Sequence, residues 1–141
     1  MIIRFMTISD YDAVYELWAQ TPGMGLYAHD DSKEGINRYL QRNPTTCFVA
    51  EVDHQIVGAV LSGHDGRRGS IYHLAVSSVA RCKGIGTQLL EHVLAALRSE
   101  GIHKAALVVF ANNETGNAFW ESSGFSARTD LIYRNKIIDF F

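Results

Sequence analysis

Cysteine and proline are both scarce in this sequence, with two of each among 141 residues. Two cysteines, Cys47 and Cys82, cannot build a disulfide framework, which favours a reduced, cytoplasmic protein. No apolar stretch approaches the length of a membrane-spanning helix, and the first ten residues lack the long apolar run of a signal peptide. We therefore expect neither a disulfide-stabilised nor a membrane-spanning protein.

An excess of charge of one sign is missing too. Thirteen Lys and Arg residues against fifteen Asp and Glu residues give a net charge of −2, so nothing in the overall charge favours binding to nucleic acid or to an anionic membrane. The composition is 47% hydrophobic and 20% charged, as in ordinary globular proteins. Because no linker or repeat interrupts it, we expect one domain over residues 1–141.

The clearest pattern in the sequence is an apolar stripe at helical spacing from Ile85 to Leu97, which predicts a long helix ended by Gly101. Shorter helices are predicted after Ser9 or Asp10, after Ser32, and after Asn112 or Asn113, since each of these residues can cap a helix. Strands are predicted at residues 2–7, 45–52, 55–62, 70–76, 103–111, 125–127 and 131–138. This order predicts an α/β fold with a mixed sheet and helices on its faces.

A basic, glycine-containing turn joins predicted strand 70–76 to the long helix, with the sequence Arg81-Cys82-Lys83-Gly84-Ile85-Gly86. Backbone N–H groups and the helix dipole make such a helix start suitable for phosphate. A Walker A loop would need Lys followed by Ser or Thr after the second glycine, and a dinucleotide fingerprint would need a third glycine at the position of Leu89. The remaining interpretation is an R-x-x-G-x-G turn that binds a pyrophosphate.

With this motif the chain resembles the GNAT superfamily of acetyl-CoA-dependent N-acetyltransferases, and in particular its small single-domain bacterial members. The family's downstream motif, N-x-x-A-x-x-F-Y-x-x-x-G-F, is matched in spacing by Asn113, Gly116, Phe119, Trp120, Gly124 and Phe125. The resemblance implies the GNAT fold, in which strands 4 and 5 of a mixed central sheet splay apart between helices on both faces.

Acetyl-CoA is the cosubstrate that the resemblance implies. Amides of residues 82–87 would bind its pyrophosphate, and the free edge of residues 74–76 would pair with its pantetheine arm. The implied cosubstrate-binding residues are Leu74, Ala75, Val76, Arg81, Cys82, Lys83, Gly84, Ile85, Gly86, Thr87, Asn112, Asn113, Phe119 and Trp120. The Cys82 side chain has two interpretations: an acidified, reactive thiol, or a residue of which only the amide matters.

The implied reaction is direct attack of a neutral primary amine on the thioester in a ternary complex, and a small-molecule amine is favoured over a protein. Since an alkylammonium of pKa about 10.4 is neutral in roughly one molecule in 2,000 at pH 7, a base is expected. The candidates for catalysis are Tyr72, His73, the Val76 amide as oxyanion donor, and Tyr133. Strand alternation predicts that Tyr72 and His73 face opposite sides.

Trp120 departs from the family pattern, because a tyrosine usually stands there and protonates the departing thiolate. Indole N–H is not a usable acid. Another tyrosine could replace it, water could protonate the thiolate, or catalysis could be weak. The last option gives a rival interpretation, a CoA-binding sensor or interaction module; a protein lysine or N-terminal acetyltransferase is the other.

The acceptor is expected at the loop before the second helix, which combines apolar and acidic side chains and is otherwise an ordinary surface loop. Its candidate substrate residues are Met24, Leu26, Tyr27, Asp30 and Asp31. The six histidines show no metal-ligand spacing, so no metal site is expected. The apolar end of the chain, with Ile137, Ile138, Phe140 and Phe141, would either pack on the domain or form a homodimer contact.

Overall fold

The computed structural model describes residues 1–139, which form a five-stranded sheet between two helical layers. The strands lie in chain order: β1 (Ile2–Phe5), β2 (Phe48–Val52), β3 (Gln55–His64), β4 (Gly69–Val76) and β5 (Ala105–Ala106). β1 to β4 pair antiparallel, and β5 pairs parallel to β4. The helices are α1 (Tyr11–Ala19), α2 (Lys33–Arg42), α3 (Ile85–Ser99) and α4 (Glu114–Ser122).

Each face of the sheet has its own apolar core. α1 and α2 cover one face, where Val14, Trp18 and Ile36 are fully or almost fully buried. α3 covers the other face through its predicted stripe, with Leu89 and Val93 fully buried. The cleft described below lies where the open edge of β4 meets both layers.

The local helix signals of the sequence are confirmed for α2, α3 and α4, whereas no described side chain caps the start of α1. Ser32 caps α2 by accepting a hydrogen bond from the Gly35 amide at 3.0 Å, and Asn113 caps α4 by accepting one from the Gly116 amide at 3.0 Å. Gly101, which follows the end of α3, has a φ of +82°. These signals depend on short segments of chain, so the sequence carries them directly.

The strands after α3 differ from the prediction. Of the predicted strand 103–111 only Ala105–Ala106 is paired, and residues 125–127 and 131–138 are not strands within the described chain. An apolar or alternating pattern shows that a segment suits a sheet, but a strand also needs a partner edge. Residues 126–139 are exposed instead, and we call them the C-terminal arm. The predicted apolar residues Phe140 and Phe141 lie outside the described residues.

A β-bulge in β4 overturns the predicted alternation of Tyr72 and His73. Ala75 lies opposite Ala59, but Tyr72 lies opposite Leu61, so β4 carries one extra residue between these pairs. His73 takes up the irregularity with a φ of +52°. As a result both side chains face the layer of α1 and α2, where Tyr72 contacts Tyr39 and His73 contacts Trp18.

Candidate active site

The cleft is formed where β4 and β5 separate. Within the described chain the two strands pair only through Gly69 with Ala105 and Ser70 with Ala106. The edge of β4 from residue 71 to residue 76 is therefore open on the side away from β3. The splay that the sequence predicted for strands 4 and 5 is confirmed.

The backbone groups of Val76 point into this opening. The Ser77 amide donates to the Val57 carbonyl of β3 at 2.7 Å, and consecutive amides of an extended strand point to opposite edges. The Val76 N–H therefore points away from β3. Its carbonyl does so too, because it accepts a hydrogen bond from Nε of Arg81 at 3.2 Å. The open edge thus offers a main-chain donor beside the basic turn.

The basic turn reaches the start of α3 through two left-handed residues. Cys82 has a φ of +63°, and Gly84, the N-cap, has a φ of +75°. A Cβ at Gly84 would meet no described atom within 4 Å, so glycine is required there by backbone conformation and not by crowding. None of the described side chains caps α3, which leaves its first-turn amides available for an anion.

Gly86 and the aromatic residues of α4 complete this end of the cleft. A Cβ at Gly86 would lie 3.5 Å from the Phe119 ring and 3.7 Å from Val76, both ordinary contacts. Packing within the chain therefore does not demand glycine at this position. Trp120 packs between Phe119 and Phe125, with ring centroids 5.0 and 5.1 Å away.

The two cysteines lie in different surroundings. Cys47 is fully buried, and burial raises the pKa of its thiol to about 12, so it remains a neutral core residue. Cys82 is exposed within the basic turn. Only Cys82 is therefore accessible to a ligand of the turn.

His73 and Asp31 form a largely buried pair at the edge of the cleft. Nε2 of His73 lies 2.8 Å from Oδ1 of Asp31, and the two side chains are only 16% and 8% exposed. The Trp18 ring packs edge-on against the imidazole with a centroid distance of 4.9 Å. The sequence nominated both members of the pair without predicting their contact.

The loop between α1 and α2 spans the opening of the cleft. Its glycines approach the far wall closely: a Cβ at Gly23 would lie 2.8 Å from the Asn113 side chain, and one at Gly25 would lie 3.0 Å from the Phe110 ring. Met24 and Leu26 pack against the core of the α1 and α2 layer. The loop therefore connects both walls of the cleft.

The acidic and aromatic candidates of this loop divide into two groups. Tyr27 and Asp30 are exposed, so they can meet an acceptor. Asp31 turns inward, where Oδ2 accepts from the Tyr27 amide at 2.8 Å and its carbonyl accepts from the Tyr11 hydroxyl at 2.6 Å. Its carboxylate is thus used inside the fold.

The remaining catalytic candidates are placed differently. Tyr72 is 44% exposed and lies beside His73, with ring centroids 6.5 Å apart. Tyr133 is 70% exposed on the C-terminal arm, and no hydrogen bond or ring contact joins it to the described residues. Tyr133 is therefore not held in the cleft of its own chain, because the arm that carries it does not pack there.

Trp18 and Tyr11 of α1 are the contributors that the sequence did not single out. Both belong to an apolar helical face, which is the ordinary sign of a core helix. Their contacts with His73 and Asp31 join residues far apart in sequence, so no local pattern could reveal them.

Residues 1–139 hold neither a cluster of metal ligands nor a membrane-spanning helix. Among residues 1–139 no group of three or more His, Cys, Asp or Glu side chains is arranged to hold a metal ion. No helix of that part of the chain is long and apolar enough to span a membrane.

Comparison with known proteins agrees with this geometry. The sequence pattern of the acetyltransferase (GNAT) family matches residues 11–125. An acetyltransferase from Pectobacterium atrosepticum is 34% identical over 139 residues, which cover 99% of this chain and 97% of the relative. An acetyltransferase from Yersinia enterocolitica is 29% identical over 98% of this chain and 96% of its own length.

Solved structures share the fold. A predicted acetyltransferase from Clostridium acetobutylicum, solved with acetyl-CoA, superimposes with a TM-score of 0.76 at 18% identity and covers 95% of each chain. The PaiA N-acetyltransferase from Thermoplasma acidophilum, in complex with coenzyme A, gives a TM-score of 0.74 at 21% identity, covering 88% of this chain and 89% of that one.

Proposed function

The chain belongs to the GNAT acetyltransferase family, and from that premise we propose that it acetylates a primary amine on a small molecule. Acetyl-CoA is the acetyl donor. The observation that carries the proposal is the open edge of β4 beside the uncapped start of α3. A helix start of this kind suits a pyrophosphate, and an unpaired strand edge suits an amide-rich chain.

We assign the pyrophosphate to the basic turn. Arg81 and Lys83 supply positive charge there, and the first-turn amides of α3 supply donors. Gly86 has no packing reason to be glycine, so its role is to let phosphate oxygens approach the backbone. Leu74, Ala75 and Val76 line the route along β4, and Asn112, Asn113 and Phe119 lie on the side of α4.

We assign the proton-accepting step to His73 and charge stabilisation to the Val76 amide. Acetyl-CoA supplies an activated thioester carbonyl. As the amine nitrogen bonds to the carbonyl carbon, the Val76 N–H donates to the oxygen that gains negative charge. Nδ1 of His73 takes the proton that the amine loses, directly or through one water. The C–S bond breaks, and water protonates the thiolate because Trp120 cannot.

The α1–α2 loop favours a small acceptor with an apolar body. Met24, Leu26 and Tyr27 offer apolar surface, and the exposed carboxylate of Asp30 suits an ammonium group. Because the loop reaches Asn113 and Phe110 across the opening, a long polypeptide acceptor has less room than a small amine. The Asp31 carboxylate is held inside the fold by the Tyr27 amide and His73, so it does not face the acceptor.

The C-terminal arm supports a homodimer as part of the same proposal. Ile132 and Ile138 are 78% and 97% exposed, and Val108 and Phe110, beyond the paired part of β5, are also exposed. Large apolar side chains collected on an arm mark an interaction surface, and an open strand edge can accept a strand. We propose that the arm of one copy adds to the open edge of residues 107–111 of a second copy. A cytoplasmic location remains a prediction from cysteine usage.

The experiment that tests the proposed function is a screen of small primary amines with acetyl-CoA, scored by release of free thiol and by the mass of the acetylated product. We expect at least one amine with an apolar body to be acetylated, and the Asp30→Asn variant to raise its KM. Peptide amines acetylated in preference to small amines would support the protein-modifying rival. Binding of CoA without acetylation of any amine would support the sensor.

A further inference from the structure

We infer that Asp31 is a positioning residue for His73: its carboxylate accepts a hydrogen bond from the Nε2–H group and so leaves Nδ1 as the proton acceptor in the cleft. This inference rests on the proposed function for its catalytic meaning. Its structural part, the tautomer of His73, can be measured without any acceptor amine.

The bulge in β4 sets the direction of the His73 side chain. In a regular strand His73 would face the α3 layer, on the opposite side from Tyr72. The extra residue and the φ of +52° turn the imidazole toward α1 and the α1–α2 loop instead. A bulge commonly re-aims one side chain, and here it brings a histidine into contact with an aspartate 42 residues earlier in the sequence.

The Asp31 residue is held by hydrogen bonds from several directions. Oδ2 accepts from the Tyr27 amide, and Oδ1 lies 2.8 Å from Nε2 of His73. The Asp31 carbonyl accepts from the Tyr11 hydroxyl, and its amide donates to the Tyr27 carbonyl. An ionised carboxylate can only accept hydrogen bonds, so the nitrogen that faces it must carry the proton.

The other ring nitrogen of His73, Nδ1, faces away from Asp31. Within residues 1–139, Nδ1 of His73 has no hydrogen-bond partner, and the other contacts of His73 are ring contacts with Trp18 and Tyr72. Among residues 1–139 the buried side-chain atoms without a hydrogen-bond partner are Nε1 of Trp18 and Oγ of Ser62, and Nδ1 is not among them. Solvent therefore reaches Nδ1. The Trp18 ring packs edge-on against the imidazole, which limits rotation of the ring.

The bulge, the held carboxylate and the unpaired Nδ1 together give His73 a defined donor side and a defined acceptor side. A histidine that merely tied the loop to β4 would need only the contact with Asp31. The accessible Nδ1 at the edge of the cleft is what a base requires in addition. A purely structural histidine and a catalytic base respond differently when the Asp31 carboxylate is removed. The difference appears in which ring nitrogen carries the proton and in the turnover number.

The test is ¹⁵N NMR of the imidazole at about pH 9, well above the ordinary histidine range. In the unmodified protein we expect His73 to carry its proton on Nε2. In Asp31→Asn the side-chain amide can donate as well as accept, so we expect this preference to be lost. Asp12→Asn, which removes an exposed carboxylate of α1, is the matched control and keeps the Nε2–H form.

Kinetics with an amine found in the screen adds the catalytic readout. Asp31→Asn is expected to lower kcat by at least about tenfold with little change in the KM for acetyl-CoA, and Asp12→Asn leaves both unchanged. The inference is overturned if His73 of the unmodified protein carries its proton on Nδ1, or if Asp31→Asn leaves kcat unchanged. Neither result can arise from misfolding of the variant. Failure of every amine to react would instead remove the proposed function and leave the tautomer result standing.

Discussion

Three residues of β4 and the basic turn, His73, Cys82 and Gly84, adopt positive φ angles of 52°, 63° and 75°. For a residue with a Cβ this conformation costs about 1 kcal/mol, so the surrounding structure must enforce it. At His73 the contacts with Asp31 and Trp18 do so. At Gly84 the absence of a side chain removes this cost. The role of Gly84 in the turn could be predicted because it belongs to the R-x-x-G-x-G motif. The Asp31–His73 contact could not be predicted, since it joins residues 42 positions apart.

Replacing Gly84 with alanine tests the turn. The φ of +75° should lower the free energy of unfolding by about 1 kcal/mol, and the altered backbone should weaken binding of CoA. Calorimetric titration and thermal unfolding measure the two effects. Gly66→Ala is the matched control, because Gly66 also has a positive φ and no described atom within 4 Å of a Cβ, but lies in the turn between β3 and β4. We expect it to lose similar stability and to keep CoA affinity. Equal CoA affinity in both variants would exclude the turn as the pyrophosphate site.

Replacing Trp120 with tyrosine restores the side chain that the family usually has at this position. A phenol can protonate the thiolate, so we expect a higher turnover of any substrate found, with CoA affinity unchanged. Steady-state kinetics and calorimetry measure the two quantities. A lower turnover at unchanged CoA affinity would mean that Trp120 acts only by packing with Phe119 and Phe125.

At the scale of elements, the helices and the first four strands were predictable, whereas the strands after α3 were not. The starts of α2 and α4 depend on a capping residue and its near neighbours, so Ser32 and Asn113 identified them. β5 depends on partners: it is paired for two residues only, because β4 turns away from it and nothing described pairs with its other edge. The same splay opens the cleft. The bulge in β4 escaped prediction because alternation of side chains assumes a regular ladder.

The start of α1 makes a pH-dependent contribution to stability. Burial by itself would raise the pKa of Asp10, but hydrogen bonds from Arg4 at 2.8 and 2.9 Å and from the Thr7 amide outweigh it and lower the pKa below its usual value. A carboxyl with a lowered folded-state pKa stabilises the fold above its unfolded pKa, about 3.9, and loses that contribution as pH falls through the folded value.

We therefore expect Asp10→Asn to lower the free energy of unfolding by about 1–3 kcal/mol at pH 7. The difference from the unmodified protein should shrink as pH falls below about 4. Urea unfolding at several pH values measures it. Asp12→Asn is the control: Asp12 lies two residues along, exposed in the first turn of α1, and its replacement should show a much smaller dependence. A difference that stayed constant with pH would exclude ionised Asp10 as its source.

At the scale of the whole molecule, the C-terminal arm carries apolar surface that one described chain does not bury. If the arm adds to a second copy, sedimentation will give a dimer, and Ile138→Asp will shift it toward monomer. Val79→Asp is the control, because it places the same charge on an apolar residue that is 82% exposed but lies outside the arm. This variant should leave the dimer intact. If the unmodified protein sediments as a monomer and its arm pairs with its own β5, the proposed contact between the arm and a second copy is contradicted.

The central claim is that the open edge of β4 and the start of α3 together bind CoA. Amide hydrogen exchange of the full chain with and without CoA tests it most directly, since bound ligand protects the amides that it contacts. We predict slower exchange at residues 74–76 and 84–87, and no change in the turn at residues 64–69. Tight CoA binding with those two segments unprotected would contradict the account, as would no protection anywhere at saturating CoA.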